Sequence, residues 1–226
     1  MDHDVLWPGG PEYIQEAGVF PLGSDSAWLG AFVRLSGVKR FCDLGCGGGA
    51  LSFNIMGRAD KLVGEGIDIS RRAVDLAEKN AALNGFDYRA VCGDIRDIRE
   101  YFPAGAFDLV VSNPPYFPEG SGKKASEPQR AAARQEGACS LGDICAAAAY
   151  LCRWGGRFAV VYRPERLSEL FCAMSAAGIE PKRLRFVMKD PGSSPTVCLA
   201  EGRRGGAPGL TVEAPVYIRQ EGDNVR

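Results

Sequence analysis

Apolar and polar positions along the chain switch repeatedly between a helical and a strand period, and the switches predict the elements. Trp28, Ala31, Phe32 and Leu35 recur at helical spacing, with Ser24 or Asp25 placed to cap that helix and Gly37 to end it. Residues 38–44 read as a strand running into Gly45-Cys46-Gly47-Gly48-Gly49, and a helix is expected from about Ala50. A short strand near 67–69 places Asp68 at its end, with Gly64 and Gly66 obscuring its start. Ser70 can cap the next helix and Gly85 can stop it. Residues 88–92 and 107–112 are strands ending at Gly93-Asp94 and at Asn113-Pro114-Pro115-Tyr116. The second half continues with an Ala- and Cys-rich helix over 141–154 and a strand over 156–162. Pro164 then opens a helix with Leu167, Leu170, Phe171 and Met174 on one face, stopped by Gly178. Strands at 184–188 and 196–200 flank a Pro/Gly/Ser turn and should pair antiparallel.

Strands alternating with helices imply an α/β fold with a parallel sheet covered on both faces. In such sheets ligands bind beyond the carboxyl ends of the strands. The glycine cluster, Asp68, Asp94 and Asn113 should therefore gather along one edge. A length of 226 residues and 46% hydrophobic content fit a single globular domain: a segment over 1–37, a core over 38–202 and an extension over 203–226.

Composition narrows the chemistry. The one histidine, His3, stands in an N-terminus expected to fray, so a histidine triad, a histidine metal centre and a histidine base are excluded. Eight cysteines are scattered without a CxxC pair; they are expected to be buried, reduced thiols, and no metal is expected. No apolar run reaches the ~20 residues of a membrane span and no signal peptide is evident, so a cytoplasmic protein without membrane contact is expected. The overall charge of −1 hides a division: residues 1–119 carry −6 and residues 120–226 carry +5, which would suit a polyanion docking on one side.

The motifs carry the function. Asp43 and the loop Gly45, Cys46, Gly47 form a nucleotide loop in strand–loop–helix context. Gly45 to Ala50 also satisfies a dinucleotide pattern, and Asp68 can accept from two ribose hydroxyls, so a nicotinamide enzyme remains open at this point. Asp94 suits an adenine amino group. Asn113-Pro114-Pro115-Tyr116 favours methyl transfer. The two prolines end the strand and stiffen the loop. The Asn113 oxygen and the Pro114 carbonyl can accept both hydrogens of an exocyclic amino group, and Tyr116 offers a face for a planar acceptor.

On these residues the chain resembles the class I, S-adenosylmethionine-dependent methyltransferases of the Asn-Pro-Pro-Tyr type. Among them it is similar to the bacterial valine-tRNA adenine-N6 methyltransferases, which modify adenine 37. The likeness runs from 19–26 through 43–49, 113–117 and 133–136 to 162–167, 180–183 and 196–202. It implies a Rossmann-like fold with a mostly parallel seven-stranded sheet, an antiparallel C-terminal hairpin and helices on both faces. It implies S-adenosylmethionine held by Ser24, Asp25, Asp43, Gly45, Cys46, Gly47, Asp68, Ile69, Asp94, Ile95 and Asn113, with Asn113 to Tyr116 at the reacting nitrogen. The implied partner is RNA, a tRNA anticodon stem-loop, met by Phe117, Lys123, Lys124, Arg134, Arg163, Arg166, Lys182 and Arg183, with Arg185 beside the last pair. A loop over 118–134 is expected to close over the substrate. Arg134-Gln135-Glu136 departs from the family's Arg-His-Glu. Other acceptors stay open, namely guanine N2 of RNA or a release-factor glutamine, although those glutamine enzymes carry a helical domain before the glycine loop. A degenerate binding module is the remaining rival. Monomer and homodimer are both compatible with the sequence.

Overall fold

Strands whose odd and even residues are both apolar must be buried on both faces, and the sheet shows why. The computed structural model describes residues 2–19, 23–115 and 139–218. In chain order these form β1 (Asp2–Val5), β2 (Glu12–Gln15), α1 (Ser24–Phe32), β3 (Arg40–Leu44), α2 (Ala50–Met56), β4 (Val63–Asp68), α3 (Arg71–Leu83) and β5 (Tyr88–Cys92). There follow α4 (Ile98–Tyr101), β6 (Phe107–Ser112), α5 (Leu141–Leu151), β7 (Cys152–Tyr162), α6 (Leu167–Ala176), β8 (Ile179–Met188), β9 (Pro195–Arg204), β10 (Thr211–Val212) and β11 (Val216–Tyr217). Leu109, Val111, Ala159 and Val161 pack with α1 and α2 on one face. Their neighbours Val110, Phe158, Val160 and Tyr162 pack with α5 and α6 on the other.

Seven long strands lie in the order β5-β4-β3-β6-β7-β9-β8, all parallel except β9, which forms the expected antiparallel hairpin with β8. The two-residue strands β10 and β11 extend the β8 edge, so part of the C-terminal extension belongs to the sheet. The order reverses at β3, which pairs with β4 on one side and β6 on the other.

Several boundaries differ from the sequence reading for local reasons. Neither Ser24 nor Asp25 caps α1: the cap residue is Gly23, and Ser24 already lies in the first turn. The buried face of α1 is Ser26, Leu29, Gly30 and Phe32, while Ala31 points outward. β4 begins at Val63 because Gly64 and Gly66 are strand residues. A Cβ on Gly64 would meet Tyr88 and Phe41 at 2.7 and 2.9 Å, and one on Gly66 would collide with the Tyr88 hydroxyl. The helix expected to Trp154 ends at Leu151, and β7 starts at Cys152 with a register shift opposite Phe107.

The N-terminus is a hairpin rather than a frayed end. β1 pairs antiparallel with β2, and Asn80 of α3 and Asn84 just after that helix act as surrogate strand partners for β2. Asn80 accepts from the Ile14 amide at 2.8 Å, and Asn84 accepts from the Glu12 amide at 2.8 Å. Asn80 Nδ2 also donates to the Gly48 carbonyl at 3.1 Å, tying the hairpin to the glycine loop.

Arg183 is not on the surface. It is 8% exposed, donates to Glu201 at 3.0 Å, to Glu213 at 2.7 Å and to the Phe32 carbonyl at 3.2 Å, and stacks over the Phe32 ring. Removing one member of such a cluster leaves buried charge unpaired. Arg183→Ala is expected to cost about 3–5 kcal/mol in denaturant unfolding; a loss below about 0.5 kcal/mol, the range of an ordinary surface substitution, would show that the cluster does not hold α1 to the sheet.

Candidate functional site

At the reversal point the carboxyl ends of β3 and β6 diverge into different connections, and the polar groups of the chain collect there. Backbone bonds stitch the edge together. The Gly45 and Cys46 amides donate to the Ile67 carbonyl at 2.8 and 3.1 Å, and the Gly93 amide donates to the Asp68 carbonyl at 3.0 Å. Gly45 and Gly47 adopt φ of +75° and +54°, which side chains with a Cβ resist, so the loop can turn tightly back over β3.

Asp68 closes the loop from β4. Its Oδ2 accepts from the Gly47 amide at 2.8 Å and its Oδ1 from the Ser70 amide at 2.9 Å, and each oxygen has a second lone pair. Burial raises its pKa despite these two donors. Ile69 beside it is a large apolar side chain left 58% exposed. Asp94 caps the turn after β5 through the Arg96 amide at 2.8 Å and pairs with the Arg96 guanidinium at 2.6 Å, which holds its carboxyl below the usual range. Ile95 packs against the core on the α5 side, and the Cys46 side chain of the loop is buried against Val74, Ala77 and Ala90.

Asp43 is the most constrained group at the edge. It is fully buried; its Oδ2 accepts from the Ser52 hydroxyl at 2.8 Å, and its Oδ1 meets no donor among the described residues. Burial pushes its pKa up to about 7, with the nearby Asp68 charge adding to the rise. An unsatisfied buried carboxylate oxygen fits a cationic ligand.

Asn113 ends β6 next to this loop. The preceding Ser112 hydroxyl donates to the Leu44 carbonyl at 2.7 Å, locking the ends of β6 and β3 together. Asn113 Nδ2 donates to the Ser26 hydroxyl at 3.0 Å. Pro114 is buried and Pro115 exposed. The sequence reading missed Ser26, because its signal is a contact between residues 87 positions apart.

The other expected residues separate. Tyr116, Phe117, Lys123, Lys124 and Arg134, with the closing loop at 118–134, lie outside the described residues. Arg163 and Arg166 follow β7 at the same carboxyl edge as Asn113, with Arg166 paired to Glu169 at 2.6 Å. Lys182 and Arg183 lie toward the opposite edge, because β8 runs parallel to β7 and these residues come early in it. Lys182 donates to the Ala207 carbonyl, Arg185 pairs with Glu213, and Arg183 is internal, so these five residues do not form one patch. All eight cysteines are free, five of them buried, and no metal-binding cluster occurs among the described residues. No helix among them is long and apolar enough to cross a membrane.

The Asp43 pKa carries a stability consequence. The folded state holds the proton more tightly than an unfolded chain with the ordinary value of 3.8. The stabilisation is therefore full below about pH 4 and is lost as pH rises through about 7, by roughly 4 kcal/mol at most. Without added ligand, Asp43→Asn should become more stable relative to wild type between pH 5 and pH 8 in thermal unfolding. A constant difference across that range would contradict the burial of an uncompensated carboxyl.

The methyltransferase small domain family matches residues 18–137. The chain is 32% identical over 155 residues to the tRNA1(Val) (adenine(37)-N6)-methyltransferase of Aeromonas salmonicida, covering 67% of this chain and 63% of that one. It is 31% identical over 190 residues to the protein of the same name from Porphyromonas gingivalis, covering 80% and 74%. The chain thus spans a little under two thirds of the Aeromonas relative. Its fold is shared with a predicted O-methyltransferase from Agrobacterium tumefaciens at a TM-score of 0.69, with 20% identity and coverage of 88% and 90%. A nine-stranded α/β sheet with its glycine loop at the reversal point, together with the family match over more than half of its length, places the chain in the methyltransferase small domain family.

Proposed function

We propose that the chain transfers a methyl group from S-adenosylmethionine to the exocyclic N6 of an adenine in RNA, adenine 37 of a valine tRNA. The observation that carries this reading is Asn113, set at the end of β6 beside the Gly45–Gly49 loop and followed by two prolines.

The residues fit the donor. Asp43 supplies buried negative charge with an oxygen to spare, Asp68 has lone pairs for ribose hydroxyls, and Ile69 offers an apolar surface for adenine. Ser24, Asp25, Gly45, Cys46, Gly47, Asp94 and Ile95 complete the donor set in this reading. Asp94 meets the donor only by releasing part of its pairing with Arg96, whose amide and guanidinium donate twice to each of its oxygens. When bound, S-adenosylmethionine supplies an activated methyl on a cationic sulfur.

The chain's task is then alignment. The Asn113 oxygen and the Pro114 carbonyl accept the two amino hydrogens and hold the nitrogen with its lone pair directed at the methyl. Such positioning is worth several kcal/mol, up to about 7–11 in well-oriented systems. The nitrogen becomes strongly acidic on methylation, so its proton leaves to solvent afterwards and no histidine is needed. An adenine in an anticodon loop is unstacked at low cost, and Tyr116 gives it a face to stack on. Arg163, on the same edge, is the basic residue best placed for the RNA backbone, with Arg166 next to it. Phe117, Lys123, Lys124 and Arg134 are assigned to the RNA on the resemblance alone.

Asn113→Ala should bind S-adenosylmethionine within about threefold of wild type by calorimetry. Its transfer of labelled methyl to tRNA should fall by at least about 100-fold, as when one group that stabilises a transition state is removed. Transfer at the wild-type rate would overturn the role of Asn113.

A further inference from the structure

The reading above leaves open what holds the Asn113 amide. An asparagine side chain has a donating and an accepting end, and its last torsion is broad and nearly two-fold. Only the accepting end serves an amino group.

Ser26 is the third residue of α1 and only 8% exposed. Its hydroxyl oxygen accepts from Asn113 Nδ2 at 3.0 Å, which engages the donating end of the amide. The helix that carries Ser26 is itself anchored at its far end. Arg58, just after α2, donates to the Gly30 and Val33 carbonyls, and Arg183 of β8 donates to the Phe32 carbonyl. The last carbonyls of a helix have no partner within it, so two guanidinium groups there fix its axial position. Gly30 packs so closely that a Cβ on it would lie 2.7 Å from Asn54 Cβ, so its lack of a side chain lets α1 sit directly against α2.

We infer that Ser26 is a positioning residue that holds the Asn113 amide with its carbonyl end toward the methyl-accepting nitrogen, through a helix anchored by Arg58 and Arg183. The inference rests on the proposed role of Asn113 and adds a second residue, from a distant part of the chain, to the same step. It also gives Arg183 a part in the site through α1.

A double-mutant cycle on the full chain tests it, using labelled S-adenosylmethionine and tRNA under steady-state conditions. Ser26→Ala should lower kcat about tenfold, the value of one net hydrogen bond at its upper range. The donor Kd and the KM for tRNA should stay within twofold. In the Asn113→Ala background the same change should alter the rate by less than twofold. Ser26→Cys, a weaker acceptor of similar size, should fall between wild type and Ser26→Ala and guards against a packing effect of the smaller residue. Wild-type kcat in Ser26→Ala would overturn the inference. So would an equal loss in both backgrounds, or a loss of donor affinity that matches the loss of rate. A wild-type enzyme that labels protein and not RNA would overturn the substrate reading alone; the cycle run on that acceptor would then report on Ser26 independently.

Discussion

Burial on both faces is the constraint from which the rest of this structure follows. A parallel strand flanked by α1 and α2 on one side and by α5 and α6 on the other has room for polar side chains only at its ends. Asp68, Asp94 and Asn113 all stand at or just beyond strand ends. Asp43, one residue inside β3, is the exception. It keeps an oxygen without a donor in the interior, and the perturbed proton affinity that results is the expected consequence. In the proposed function this buried carboxyl is the group that meets the cationic donor, and the neighbouring strand ends meet the acceptor.

Much of this was legible in the chain. The strands at 88–92 and 107–112 are read to the residue, and Ser70 caps α3 as expected, because each depends on local periodicity or local side-chain-to-backbone bonding. What failed depended on contacts distant in sequence. Gly64 and Gly66 obscured the start of β4, yet only glycine is small enough there to let the strand pass under Tyr88. The β1–β2 hairpin could not be read because its partners are the side chains of Asn80 and Asn84, more than sixty positions away. Ser26 was passed over for Ser24 and Asp25 for the same reason.

Charge was the least transferable signal. The acidic and basic halves suggested two faces, but many of these charges pair with each other, some inside the fold and some on its surface. Glu201 and Glu213 take up Arg183 and Arg185, Asp108 takes up Arg153, and Glu16 takes up Arg72 and Lys79. Arg183 looked like a phosphate ligand and is an anchor for α1 instead. The sequence places the charges in order along the chain; only the direction of β8 relative to β7 shows that Lys182 and Arg163 sit at different levels of the sheet.

The account is tested most directly by incubating the protein with labelled S-adenosylmethionine and total tRNA, then digesting the RNA to nucleosides. It predicts label in N6-methyladenosine, confined to a valine tRNA. Label in protein alone, or in a methylated guanosine, would contradict it.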